Sequence, residues 1–399
     1  MSYNYDFSEE IDRCNTNSVK WDLRDKFFPN SGVTPLWVAD SDWTTAPEII
    51  EAMEKRLQHG VFGYTYPAQE LKKAICKWYK NQYNWQINSD WIVIINGVVP
   101  GINLAVQNFI PAEKEVIIQP PVYYPFFEVV RKNNNKLLLN TLEFKNKEKY
   151  FINFEKLQDL IQKEESNPGA LILCNPHNPV GRVWNEKELK KLTNICVDND
   201  ILIISDEIHA DFVYGDNSHI PLASIDDKFK ENIIMLNSPT KTFNLAGLKI
   251  AYAIIPSNTI REKFEQAVKR NIRGSNIFGY TALETAYTEG HSWLQEQLKY
   301  LEENLSLTRE IIGDTSGINV IEPEGTFLVW LDFSRVNIPK RKIRNIIFNK
   351  AQIGLEPGEW FGTAGEGFYR LNIASPRSRL QKALEKFKAS WNGELKEND

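Results

Sequence analysis

The sequence contains few residues that could form disulfides or bind metal ions. Its four cysteines, Cys14, Cys76, Cys174 and Cys196, are far apart and include no C-x-x-C pair. The five histidines show no metal-ligand spacing either. We therefore expect free thiols in a reducing compartment, no bound metal and a cytoplasmic location.

Long apolar runs and clusters of positive charge are also missing. No stretch reaches the roughly 18 apolar residues that a membrane-spanning helix needs. The first eight residues have neither the basic nor the apolar region of a secretory signal. The net charge is −5, without a basic cluster, so nucleic acids and membranes are poor candidate partners. We expect a soluble protein that acts on a small molecule.

Apolar runs alternate with helix-like segments between residues 90 and 260, which is typical of an α/β protein. Several of the runs are continuous in Val, Ile and Leu, as in strands that are covered on both faces. The predicted strands are Trp91–Ile95, Glu115–Gln119, Lys136–Leu139, Ala170–Cys174, Ile201–Ser205, Ile233–Leu236 and Ile250–Ile255. These strands predict a mostly parallel seven-stranded sheet with helices on its faces.

The length of 399 residues favours two domains. The last third has a different pattern, with a long charged helix carrying a leucine repeat and two short strands within 319–333. We interpret residues 46–285 as a large α/β domain and residues 286–399 as a smaller α+β domain. Residues 1–45, with a short strand starting at Leu36, are interpreted as a segment that joins the small domain.

A lysine lies on a short polar loop between two predicted strands. The loop from Ser238 to Lys249 is Ser-Pro-Thr-Lys-Thr-Phe-Asn-Leu-Ala-Gly-Leu-Lys. Lys241, framed by core strands, could form an imine with the carbonyl of pyridoxal phosphate if burial or a nearby cation lowers its pKa. A lone loop lysine is usually just solvated. Other motifs must therefore support this role, to which Ser238 and Lys249 could add phosphate contacts.

Three other polar motifs follow predicted strands at the edge where open α/β sheets bind ligands. The turn Asn96–Gly101 leads into a helix, whose free N–H groups suit a phosphate. Asn178 lies in a proline-stiffened loop and could donate to a phenolic oxygen. Asp206 ends a buried strand, where a protonated ring nitrogen would stabilise its charge. Taken alone, motifs like the first two are more often ordinary structural turns.

Two further residues could serve either the site or the fold. His209 comes three residues after Asp206, but a lone histidine is more often structural. Arg370 lies in an alternating apolar–polar stretch and requires an anion. A substrate carboxylate and an internal carboxylate would both satisfy its guanidinium group.

The order of these motifs resembles the fold type I pyridoxal-phosphate enzymes of the class I/II aminotransferase superfamily. The resemblance runs from about Leu36 to Arg377, and its most specific stretches are Asn-Pro-His-Asn-Pro-Val-Gly and Ser-Pro-Thr-Lys-Thr-Phe-Asn-Leu-Ala-Gly-Leu. Trp-Val-Ala-Asp near residue 37 and Asp-Glu-Ile-His-Ala-Asp from Asp206 are similar to the MalY/PatB branch, the cystathionine (cysteine-S-conjugate) β-lyases. Typical aminotransferases carry Tyr at His209 and Arg at Lys249.

The resemblance implies a role for each candidate residue. Lys241 would be the catalytic Schiff-base lysine, Asp206 would pair with the ring nitrogen, and Tyr123 would stack on the ring. The implied cofactor-binding residues are Gly97, Val98, Tyr123, Asn178, Asp206, His209, Ser238, Lys241 and Lys249, with Tyr64 supplied by the neighbouring subunit of a homodimer. The implied substrate-binding residues are Arg370, Ala39, Tyr123 and Asn178.

The implied reaction is β-elimination from L-cystathionine or cysteine S-conjugates, which gives a thiol, pyruvate and ammonia. An aminotransferase would use the same lysine, ring and carboxylate clamp, and would differ only in where the proton returns. The residue chemistry therefore leaves both reactions open, and the branch-level motifs favour the lyase. A non-catalytic protein on this fold is disfavoured because both Lys241 and Asp206 are present.

Overall fold

The computed structural model describes residues 3–272, 274–313, 315 and 317–396. The helices are α1 Val19–Asp22, α2 Arg24–Phe27, α3 Pro47–His59, α4 Gln69–Tyr83, α5 Val98–Phe109, α6 Pro125–Lys132, α7 Phe154–Gln162, α8 Glu186–Val197, α9 Pro239–Thr242, α10 Asn258–Asn271, α11 Ile277–Glu289, α12 His291–Gly313, α13 Lys340–Asn345 and α14 Arg377–Lys396. Among these helices, none combines the length and apolar character that crossing a bilayer requires.

Strands fall into one large sheet, one smaller sheet and two short pairs. The strands are β1 Thr34–Pro35, β2 Ile92–Ile95, β3 Glu115–Ile118, β4 Lys136–Leu139, β5 Glu143–Lys145, β6 Lys149–Phe151, β7 Pro168–Cys174, β8 Leu202–Asp206, β9 Ile233–Asn237, β10 Ala251–Ile254, β11 Asn319–Ile321, β12 Leu328–Asp332, β13 Ile353–Gly354, β14 Glu356–Pro357 and β15 Phe368–Asn372. Short 3₁₀ segments include Ser89–Trp91, Ala246–Leu248 and Gly358–Phe361.

The large sheet has seven strands in the order β2-β10-β9-β8-β7-β3-β4. The strand β10 runs antiparallel to both of its neighbours, and the other pairs are parallel. All seven predicted strands are present, with ends that move by at most two residues. The α/β prediction with a mostly parallel sheet is therefore confirmed.

Alternate side chains of the central strands enter two separate apolar clusters. Ile203 and Met235 belong to one cluster, whereas Ile204 and Leu236 belong to the other. Successive strand residues point to opposite faces, so both faces of β8 and β9 are buried. This double burial explains why the sequence shows continuous apolar runs instead of alternation.

The C-terminal part contains a four-stranded antiparallel sheet in the order β11-β12-β15-β14. Of these four strands, the sequence pattern predicts β11 and β12. The strand β14 is only two residues long, which is too short to show a periodic pattern. The helix α11 runs through residue 285 and ends at Glu289. The interpreted domain boundary therefore falls inside a helix, and the three-part division stays a prediction.

The N-terminal segment packs on C-terminal elements. The short strand β1 pairs with β13, and the ring of Phe28 lies 5.3 Å from that of Phe348. The predicted strand from Leu36 is wrong, because strand pairing stops at Pro35 and the next residues form an irregular loop. The Asn372 side chain donates to the carbonyls of Val38 and Asp40, and the Asp42 N–H donates to the Ala374 carbonyl. Side-chain bonds and isolated backbone bonds therefore hold this loop.

Candidate active site

The C-terminal ends of adjacent parallel strands meet at one edge of the large sheet. In the register of β7, β8 and β9, Cys174 lies beside Asp206, which lies beside Leu236. A cavity of about 400 Å³ opens at this edge. Its lining residues are Ala39, Asn96, Gly97, Val98, Val99, Pro100, Tyr123, Cys174, Asn178, Asp206, Ile208, His209, Thr240, Lys241, Ala246, Lys249 and Ile250.

Lys241 enters this cavity from α9, the short helix that follows β9. Its Nζ donates to the backbone carbonyl of Ala39 at 2.5 Å. Burial lowers the pKa of Lys241 to about 8, with Asp40 acting against the shift and the Arg370 guanidinium adding to it. About a tenth of such a lysine is neutral amine at pH 7, far more than for an ordinary lysine, and both nucleophilic and proton-accepting chemistry require this form.

Asp206 faces the cavity from the end of β8. Its Oδ1 accepts from the backbone N–H of Ile208 at 3.1 Å. Burial raises the pKa of the Asp206 carboxyl to about 7, although this backbone bond and the Lys241 ammonium oppose the shift. A carboxylate in such surroundings is stabilised by a cationic N–H partner, as the sequence predicts for a protonated ring nitrogen.

Arg370 and Asn178 are joined within the protein. Arg370 Nη1 donates to Asn178 Oδ1 at 2.8 Å, and Nη2 donates to the Trp37 carbonyl at 3.1 Å. The same guanidinium forms an ion pair with Glu356, which is the internal carboxylate that the sequence left open. The guanidinium also lines a cavity, so it can still receive a bound carboxylate there.

A second cavity of about 430 Å³ adjoins the first and shares Ala39, Tyr123 and Lys241 with it. Its lining residues are Val19, Phe27, Trp37, Val38, Ala39, Tyr123, Tyr124, Lys241, Glu356, Trp360 and Arg370. Arg370 therefore reaches this second cavity, while Asp206 lines the first. Lys241 lines both cavities and therefore lies between a group bound near Asp206 in the first cavity and a carboxylate bound by Arg370 in the second.

The start of α5 forms a part of the first cavity that the second cavity does not share. Gly97 precedes the helix and Val98 begins it. The N–H groups of a first helical turn lack partners within the helix and favour anions. Lys249 also lines this cavity and is exposed, so its ammonium can add positive charge there. This arrangement suits a phosphate.

Tyr123 and His209 complete the walls that the sequence predicts. Tyr123 lines both cavities, and burial raises the pKa of its hydroxyl, which stays protonated. Burial lowers the pKa of His209 well below its usual value, with Lys241 and Arg370 adding to the effect. His209 is therefore a neutral side chain, and its ring packs 5.7 Å from that of Phe327.

Ser238 is placed differently from the predicted phosphate contact. Its hydroxyl donates to the Ile250 carbonyl at 2.6 Å and lies 2.7 Å from the Thr240 hydroxyl. Ser238 also caps α9 by accepting from the Thr240 N–H. It is not among the described lining residues of the cavity, whereas Thr240 is. The role of Ser238 at a phosphate stays a prediction.

Tyr64 lies outside the cavities of its own chain. It is fully exposed, on the irregular segment between α3 and α4. The structure therefore brings together the other predicted site residues except Ser238, and leaves Tyr64 on the surface.

The loop that carries Ala39 is fixed from two sides. The Asn244 side chain donates to the carbonyls of Ser41 and Trp43. On the other side, the fully buried Lys20 ammonium lies 2.9 Å from Asp42. Both contacts restrain the backbone around the carbonyl that accepts from Lys241.

Sequence reasoning misses Thr240, Asn96 and Glu356. Thr240 and Asn96 are direct neighbours of recognised motifs, so their positions beside Lys241 and Gly97 were an available signal. Glu356 carries a weaker signal, an acidic residue directly after the short stretch Ile353-Gly354-Leu355. Its importance depends on pairing with β15, which the sequence pattern does not show.

These residues fit the cofactor that the sequence predicts, pyridoxal phosphate. A helix N-terminus and Lys249 can hold its phosphate, Asp206 can hold its ring nitrogen, and Tyr123 offers a flat wall. The buried Asp206 carboxyl lacks a cationic side chain in hydrogen-bonding contact among the described residues. These phosphate-binding groups and the Asp206 carboxyl therefore fit a cofactor whose aromatic ring carries a protonated nitrogen.

Comparisons with known proteins agree over nearly the whole chain. The family model described as aminotransferase class I and II matches residues 35–387. Cystathionine β-lyase PatB of Bacillus subtilis is 39% identical over 391 residues, which are 97% of this chain and 99% of that protein. The structure of cystalysin from Treponema denticola, which contains pyridoxal 5'-phosphate, has a TM-score of 0.93 at 36% identity and covers 100% of both chains.

A third similar protein is a pyridoxal-phosphate-bound C–S lyase from Staphylococcus hominis. Its structure has a TM-score of 0.90 at 30% identity and covers 98% of this chain and 99% of its own. The similarity thus extends across both sheets and both cavities.

Proposed function

Because the chain belongs to the aminotransferase class I and II family, we propose that it is a pyridoxal-phosphate-dependent carbon–sulfur β-lyase. It cleaves L-cystathionine or cysteine S-conjugates to a thiol, pyruvate and ammonia. Similarity over nearly the whole chain to the cystathionine β-lyase PatB and to the C–S lyase of Staphylococcus hominis supports this activity. The family, fold type and cofactor that the sequence predicts are confirmed.

One structural observation carries the proposal: Lys241 lines both cavities, between the acid Asp206 and the guanidinium of Arg370. Arg370 binds the substrate α-carboxylate in the second cavity and thereby sets the distance of the α-carbon from Lys241. Asn178 holds Arg370 in place through its 2.8 Å bond. Tyr123 closes the wall between the two cavities.

The residues of this chain prepare the proton transfers. When bound, the cofactor supplies an electron sink for the charge that develops at the substrate α-carbon. Asp206 holds the ring-nitrogen proton, which keeps that sink effective. Lys241, with its pKa lowered to about 8 by burial, accepts the α-proton at Nζ. The apolar walls and Tyr123 exclude water from the transfer.

An aminotransferase remains the second candidate, because the family includes that activity and the machinery is shared. We expect the purified protein with pyridoxal phosphate and L-cystathionine to release pyruvate and free thiol over many turnovers without a 2-oxo acid. Pyruvate is measured with a coupled reductase and thiol with a colorimetric reagent. Turnover that appears only after 2-oxoglutarate is added would identify an aminotransferase.

We further propose a homodimer in which Tyr64 serves the site of the partner subunit. Tyr64 cannot serve its own cavities from its exposed position. It lies in a group of exposed apolar side chains, which in a soluble protein marks an interaction surface. The group consists of Leu57, Val61, Phe62, Tyr64 and Tyr66. We also propose a cytoplasmic location, which the free thiols of all four cysteines support.

Mixed dimers test the position of Tyr64. Tyr64→Ala and Lys241→Ala subunits are each expected to have little activity as homodimers. After unfolding and refolding together, half of the dimers combine both chains, and each has one intact site, so about a quarter of wild-type activity returns. Sedimentation is expected to give twice the chain mass of 46.1 kDa. A monomer, or a mixture without recovered activity, would contradict this assembly.

A further inference from the structure

Glu356 is a buried acid in the second cavity, beyond the residues assigned above. It lies opposite Arg370 in the register of β14 and β15, and its side chain is 4% exposed. Its Oε2 contacts Arg370 Nη2 as an ion pair. The acid also lines the second cavity, where the Arg370 guanidinium is its cationic partner.

Substrate binding changes the charge balance around this acid. An α-carboxylate on Arg370 places a second anion beside Glu356, and both then share one guanidinium. Two buried carboxylates near one cation carry an electrostatic cost. Burial already raises the pKa of the Glu356 carboxyl, against the effects of Arg370 and Lys241. A positive charge brought by the substrate itself would offset this cost.

The remaining wall of the second cavity suits an alkyl thioether. Phe27, Trp37 and Trp360 line it with aromatic surface, and Val38 adds an aliphatic patch. Along the described wall, the charged side chains are Lys241, Glu356 and Arg370. The two cations have proposed roles at the reacting carbon and at the α-carboxylate. Glu356 is left to interact with the distal part of the substrate.

We propose that Glu356 is a specificity-determining residue that binds an ammonium group on the leaving-thiol part of the substrate. Cysteine S-conjugates whose thiol carries a distal amine are then the preferred class, since their methylene chain lies along the aromatic wall and their amine meets the acid. This inference rests on the proposed β-elimination, which places the sulfur substituent in this cavity.

A matched substrate pair isolates the distal charge. S-(3-Aminopropyl)-L-cysteine and S-butyl-L-cysteine have chains of equal length and differ in an ammonium versus a methyl end. Because a desolvated charge pair contributes at least about 1.4 kcal/mol, equal to tenfold, we expect wild-type kcat/KM to favour the amine about tenfold or more. Glu356→Gln is expected to reduce this ratio to about twofold or less.

A neighbouring variant controls for charge removal near the cavity. Glu359 lies three residues further along and pairs with Arg344, outside the described cavity wall, so Glu359→Gln is expected to keep the wild-type ratio. Glu356→Asp retains the anion and is expected to preserve the preference for the amine, which decides the question if Glu356→Gln does not fold. An equal ratio in wild type and Glu356→Gln, or no preference in wild type, would overturn the inference.

Binding without turnover separates this inference from the proposed reaction. Homolysine and 2-aminooctanoate are the sulfur-free counterparts of the two thioethers and cannot eliminate a thiol. Calorimetry of wild-type holoenzyme is expected to show about tenfold tighter binding of homolysine, lost in Glu356→Gln. If neither thioether is cleaved, the lyase proposal fails, and these two affinities still decide the role of Glu356.

Discussion

Replacing Lys241 by alanine is expected to reduce kcat/KM for cystathionine by at least about 10³-fold, because one side chain both carries the cofactor and moves the α-proton. The structure supports both roles. Nζ lies within the cavity at 2.5 Å from the Ala39 carbonyl, and burial lowers the pKa of Lys241 to about 8. Alanine removes the amine and leaves no other lysine at this end of the described cavity wall.

The measurement pairs turnover with the absorbance of bound cofactor. Wild type is expected to show the visible band of a lysine-linked cofactor, and Lys241→Ala is expected to lose it. Lys249→Ala provides the matched lysine control, since this exposed lysine lines the phosphate end of the same cavity. It is expected to keep the band and require more cofactor for saturation. A Lys241→Ala protein that keeps more than about a tenth of wild-type turnover would refute the assignment.

Much of the seven-stranded sheet can be predicted from the sequence because its signals are local. Buried parallel strands need continuous apolar runs, and each of the seven runs becomes a strand. The ends of those strands in turn predict where polar side chains meet. Lys241, Asp206 and Asn178 accordingly line one cavity although they are far apart in the chain.

Non-local pairing explains what sequence reasoning misses. The partner of Arg370 is Glu356, which is identified only by the register between β14 and β15. Local hydrogen bonds explain the other difference at the site. The Ser238 hydroxyl is directed to the Ile250 carbonyl across the loop, so Thr240 takes the position on the cavity wall. Motif order places both hydroxyls near Lys241 but does not determine which one faces inward.

Asp206→Asn is expected to lower the activity of the enzyme and to raise the stability of the cofactor-free chain. The change keeps the size of the side chain and removes its charge, so the proton on the cofactor ring nitrogen is no longer held. We expect kcat/KM to fall by about 10²-fold or more. Asp206→Glu keeps an acid at the end of β8 and is expected to retain more activity than the asparagine variant. Activity of Asp206→Asn close to wild type would remove Asp206 from the mechanism.

The same substitution should stabilise the cofactor-free chain above neutral pH. Burial raises the pKa of Asp206 from 3.8 to about 7, so the unfolded chain releases this proton at lower pH than the folded chain does. Folding stability from this group is therefore present below pH 4 and is lost as the pH rises to about 7, by up to about 4 kcal/mol. Urea unfolding of cofactor-free protein is expected to show Asp206→Asn more stable than wild type at pH 8 and equal to it near pH 4. An equal difference at both pH values would mean that Asp206 is not strained by burial, and that its charge is already balanced by the protein before the cofactor binds.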